Sequence, residues 1–149
     1  MSISAWIDIH LSSNANLSAV DLIRQFAKEG WDYTGRNGKV TFLPLGDGDN
    51  FNWLSEAVDS AHIMNIIETK QAQREIVGIQ LLRRDSEIGC DMLMFSTNQI
   101  GFNLSIARKS IETQGDIDIT DFSWYLERIL PVFKHAGLRV ERVQCEQLD

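Results

Sequence analysis

The sequence predicts one α+β domain, a mainly antiparallel, twisted sheet of five to seven strands packed with two to four helices. Three observations predict it. Residues 75–107 hold three strand-length apolar runs, EIVGIQLL, CDMLMFS and IGFNLSIA, separated by segments rich in Gly, Asn, Asp and Ser. Residues 17–29 and 120–136 instead carry apolar side chains at three- and four-residue steps, the period of a helix. Finally, 149 residues with 44% hydrophobic and 23% charged content have an ordinary globular balance. A chain of that size is read as a single domain over 1–149 that buries roughly two thirds of its unfolded surface.

The elements follow in order. Ile3, Ala5, Ile7 and Ile9 alternate with Ser4, Trp6, Asp8 and His10, the pattern of a half-buried strand. Ser12–Asn16 is a polar break expected to supply the cap of a first helix, which Lys28 and Gly30 should end. Trp31–Tyr33 and Lys39–Leu45 read as two arms of a hairpin turned by Gly35-Arg36-Asn37-Gly38. Residues 52–73 carry irregular helical spacing, with Glu68–Arg74 expected as an exposed end. In the central meander, Val77, Ile79 and Leu81 share a face, as do Cys90, Met92 and Met94, then Ile100, Phe102, Leu104 and Ile106. Residues 111–119 read as an acidic loop, after which Thr120 is expected to cap the last helix. Phe122, Leu126, Ile129, Leu130 and Phe133 form its expected buried stripe, with a kink or restart at Pro131 and a stop at Gly137. Leu138–Cys145 closes the chain as a charged edge strand.

Local motifs for chemistry are sparse. Asp47-Gly48-Asp49-Asn50 resembles the opening of a calcium loop, but Asn52 and Val58 stand where an EF-hand needs Gly and Glu. An ordinary polar turn is the expected reading, and Asp116, Asp118 and Asp121 are read likewise as solvated acids. His10, His62 and His135 fall in separate elements without metal-ligand spacing. No dinucleotide, phosphate-loop or hydrolase-elbow motif occurs, so no cofactor and no metal are expected. Cys90 and Cys145 have no CxxC spacing and read as buried thiols of a reducing compartment. The expected location is the cytoplasm, because the N-terminus lacks a basic signal-peptide region and no apolar run is long enough to span a membrane.

Charge is the non-random feature. The net charge of −7 argues against nucleic acid, which requires basic clusters to meet phosphate. Five acids lie between Lys39 and Lys70 and five more between Lys109 and Arg128, with no base in either window. Such clustering is either a solvated surface or an acidic face for a basic protein. On the second reading, Asp47, Asp49, Glu112, Asp116, Asp118 and Asp121 bind the partner. Trp124, expected off the helix's buried stripe, supplies an aromatic anchor.

The string Thr120-Asp121-Phe122-Ser123-Trp124-Tyr125-Leu126, continued by Glu127-Arg128-Ile129-Leu130, is similar to a late helix of some bacterial immunity proteins of contact-dependent and other polymorphic toxin systems. The preceding order of hairpin, acidic loop and helix resembles them too, over residues 75–145. The resemblance implies a non-enzymatic protein, monomer or weak dimer, that binds one cognate toxin domain, often a nuclease, and blocks it. The competing expectation is a small-ligand or metal-dependent enzyme with a cleft above the sheet.

Overall fold

The computed structural model describes residues 2–149 and has an α+β architecture, with one large antiparallel sheet covered on one face by three helices. The strands are β1 (Ser4–Leu11), β2 (Trp31–Asp32), β3 (Val40–Phe42), β4 (Leu54–Glu56), β5 (Val77–Arg83), β6 (Gly89–Ser96), β7 (Gln99–Ile106), β8 (Ser110–Ile111), β9 (Ile119–Thr120) and β10 (Val140–Leu148). The helices are α1 (Ala19–Lys28), α2 (Ser60–Ala72) and α3 (Phe122–His135). The main sheet runs β10-β1-β7-β6-β5-β3-β4, with β2 added beside β5, so it has eight strands. A separate hairpin pairs β8 with β9.

The β5-β6-β7 meander is the middle of this sheet, and its alternation sets which side is covered. Val77, Ile79, Leu81, Cys90, Met92, Met94, Ile100, Phe102 and Leu104 are all buried in one core with Ala5, Ile7, Ile9 and Leu11 of β1. Leu22, Ile23 and Phe26 of α1 pack there with Ile63, Met64 and Ile67 of α2 and Ile129, Val132 and Phe133 of α3. Phe26, Phe102 and Phe133 meet at its centre with ring centroids 5.8–6.3 Å apart, Phe133 edge to face with each of the others and Phe26 tilted against Phe102. Helix α1 lies between the other two, with α2 also against β5 and α3 also against β10.

Several boundaries differ from the sequence reading. The cap of α1 is Ser18, whose Oγ accepts from the Asp21 amide at 3.2 Å, so Ser12–Asn16 precedes the cap. Trp31–Asp32 pairs with Arg83–Leu82 of β5, and only the Thr34–Val40 bridge joins it to the following strand. Residues 54–56 are a strand against Val40–Phe42, where helix was expected; Asp59 caps α2, and all three residues of β4 are exposed, so no periodicity marked them. Lys70, expected on an exposed end, is buried and donates to the Pro44 carbonyl at 2.7 Å and to Glu75 at 3.1 Å. Asp121, not Thr120, caps α3, and the helix runs uninterrupted through Pro131. Gly137 ends it with φ +75°, and the Leu138 amide returns to the Phe133 carbonyl at 2.9 Å.

The buried stripe of α3 is rotated by one residue. Tyr125, Ile129, Val132 and Phe133 are buried, whereas Leu126 and Leu130 are half-buried on the outer flank. Tyr125 can be fully enclosed because its hydroxyl accepts from the Lys109 amide at 2.9 Å, which satisfies the one polar atom of the ring. Cys90 is buried as expected, but Cys145 is exposed on the edge strand.

Candidate functional site

The second acidic window folds into the β8–β9 hairpin, and its two sides differ in character. Ser110 pairs with Thr120 and Ile111 with Ile119. One side is held by Arg108, whose guanidinium donates to Asp118 at 2.7 Å, to Thr120 Oγ1 at 2.9 Å and to Ser110 Oγ at 3.3 Å. Gln147 of β10 completes this anchor. Its Oε1 accepts from the Thr120 amide at 2.8 Å, and its amide donates to the Asp118 carbonyl at 2.8 Å. Since side chains alternate along an extended chain, Ile111, Ile117 and Ile119 take the other side. They are 47%, 60% and 42% exposed, which leaves three large aliphatic side chains of one short segment in solvent.

The seven predicted residues separate into two groups. Glu112, Asp116 and Asp49 are exposed and join no ion pair among the described residues. The others have internal work. Asp47 is 6% exposed and accepts from the amides of Phe51 at 2.9 Å and Asn52 at 3.1 Å, closing the loop after Pro44. Asp118 is paired with Arg108 and also accepts from Ser110; the guanidinium hydrogen bond comes first among the causes that hold its carboxyl below the usual range. Asp121 accepts from the Trp124 amide at 3.2 Å as the cap of α3. Trp124 is half-buried, with Arg128 stacked 4.3 Å from its ring centre and Trp31 and Tyr125 edge-on at 6.3 and 5.0 Å. It is packing, not a free anchor.

Asp49 and the hairpin lie at opposite edges of the sheet. Asp49 lies in the loop between β3 and β4, at one edge of the sheet, whereas Gln147 ties the hairpin to β10 at the other. Five strands intervene, so the edges are roughly 30 Å apart at about 4.8 Å per strand. The candidate site is therefore the hairpin with Glu112, Asp116, Ile111, Ile117 and Ile119. The isoleucines were the residues that sequence reasoning passed over. Their signal was the alternation Asp116-Ile117-Asp118-Ile119, legible as a strand although it was read as a loop.

A ligand cleft was expected above the sheet, and the helix-free face holds a hollow. It is about 430 Å³, with Trp6, Asp8, Leu93, Phe95 and Asn103 around the bare backbone of Gly101. Asp91 stands nearby; burial pushes its carboxyl up, opposed by hydrogen bonds from Gln80 and Ser105. His10, His62 and His135 are distributed over β1, α2 and α3. Among the described residues, no three His, Cys, Asp or Glu side chains gather as metal ligands, and no helix is long and apolar enough to cross a membrane. No family model, no curated protein and no solved structure matches the chain.

Proposed function

We propose that this protein is a non-enzymatic binding protein that neutralises a cognate basic toxin domain, and that the β8–β9 hairpin is its docking element. One observation carries the reading: solvent-facing Ile111, Ile117 and Ile119 share one short hairpin with Glu112 and Asp116, exposed carboxylates that join no ion pair among the described residues. No base occurs between Lys109 and Arg128. Exposed aliphatic side chains favour a protein partner because their burial in an interface releases water, and carboxylates on the same hairpin select a basic one. A nuclease must be basic to hold its substrate, so carboxylates can occupy the positions phosphate would take and speed encounter by steering. Arg108 and Gln147 hold the base of the hairpin to the fold, so less ordering is left to the moment of binding.

The test is co-expression with the product of the adjacent reading frame. Protection of growth from that product, together with a stable one-to-one complex, is the expected result. A neighbour that neither binds the chain nor harms cells lacking it overturns the reading.

A further inference from the structure

We propose that β10 is a self-association edge, pairing antiparallel with β10 of a second copy to continue the sheet across a two-fold axis. The strand is nine residues long and terminal in the sheet order, so its outer row of backbone donors and acceptors faces no strand. It contains no proline, and its one irregularity lies near Val140, leaving Arg142–Leu148 in regular pairing with β1. The opposite edge, β4, is three residues long and offers far less ladder.

Charges on an edge strand ordinarily discourage pairing. Here their spacing is self-complementary. Arg142, Gln144 and Glu146 lie opposite His10, Asp8 and Trp6 of β1, on the helix-free face, and all three are exposed. A two-fold axis normal to the sheet keeps like faces together, so each candidate register is centred on one residue. Centring on Arg142 or Glu146 sets like charges opposite each other, and centring on Val143 or Cys145 sets neither charge against its opposite. Centring on Gln144 places Arg142 against Glu146 of the second copy, twice. On the helix side the same register sets half-buried Val143 against exposed Cys145, again twice. That side continues into a groove of about 750 Å³ between α3 and β10, lined by Leu126, Leu130, Pro131, Leu138 and Val140. The inference rests on Arg142 and Glu146, which lie outside the proposed docking element, although Gln147 of the same strand anchors the hairpin.

Sedimentation equilibrium over a concentration series tests it, with charge reversal as the discriminating variant. Wild type is expected to show a reversible monomer–dimer equilibrium. Arg142→Glu and Glu146→Arg should each weaken it at least about tenfold, because each converts two attractive cross-strand pairs into repulsive ones. The double variant carrying both should recover it. Neither side chain joins an ion pair among the described residues, so melting at dilute concentration should stay near wild type. Val143→Cys should form a disulfide with Cys145 of the second copy under mild oxidation, lost when Cys145→Ser is added. A chain monomeric up to about 1 mM, a dimer indifferent to the single reversals, or failure of the double variant to recover would each overturn the proposal.

Discussion

Lys70→Met removes a charge the fold has enclosed, and its cost follows from what remains. The Lys70 side chain is 1% exposed and that of Glu75 14%. Its ammonium donates to the Pro44 carbonyl at 2.7 Å and to Glu75 at 3.1 Å, while the Gly46 amide donates to the same carboxylate oxygen at 2.7 Å. Methionine refills the space of the stem, so little cavity forms, and the loss is electrostatic. Breaking a buried pair by deleting one partner costs about 3–5 kcal/mol. The partial exposure of Glu75 and its surviving Gly46 amide place this case near the low end, at about 3 kcal/mol. For a domain of this size that is a fall in Tm of roughly 6–12 °C. Adding Glu75→Gln removes the stranded charge yet keeps an acceptor for Gly46, and should recover about half of the loss or more. Urea denaturation of wild type, Lys70→Met and the double variant measures this directly. A single-variant cost below about 1 kcal/mol, or a double variant no better than the single, would refute the reasoning.

Three further outcomes are expected. Ile129→Ala should cost about 2–5 kcal/mol as a fully buried truncation, and Leu126→Ala, on the half-buried outer flank, distinctly less; the reverse order in denaturation would put the wrong side of α3 inward. Burial pushes the Asp91 carboxyl above its ordinary 3.8, so wild-type stability falls as pH rises from there through the folded-state value. Asp91→Asn should therefore raise Tm at pH 7, with the difference shrinking as pH falls toward about 4, and a constant difference across that range would contradict the cause. A thiol reagent should modify Cys145 in the native protein and Cys90 only after unfolding, since Cys90 is fully enclosed and its thiol is pushed up by burial; two fast equivalents in the native state would be inconsistent with this core.

The elements that reached the core were legible, because burial imposes a period. The alternation of β1 and of the β5-β6-β7 meander places the same residues inward in the sequence and in the fold, except at the ends, where Ile3 and Ile106 are half-buried. Strand β4 holds three residues, all exposed, too few for any period to register. On α3 the apolar spacing permitted two stripes, and the choice turned on a long-range contact, the Tyr125 hydroxyl with the Lys109 amide, which no local pattern contains. The site was legible only as charge. Sequence marks a carboxylate but not its partner: the amides of Phe51 and Asn52 hold Asp47, the amide of Trp124 holds Asp121 and the guanidinium of Arg108 holds Asp118, and none of these pairings is visible in local spacing. Glu112 and Asp116 remain, exposed and in no ion pair among the described residues.

The most direct measurement of the docking claim is surface plasmon resonance against the adjacent gene product, at two ionic strengths. The comparison is wild type, Glu112→Gln with Asp116→Asn, and Ile119→Ser. The paired neutralisation should slow association at low salt, and the gap should close as salt screens the wild type. Ile119→Ser should leave association nearly unchanged and speed dissociation, because an aliphatic contact acts after encounter. Association and dissociation rates that match wild type for both variants would contradict the account and leave the hairpin's acids and isoleucines without a part in binding.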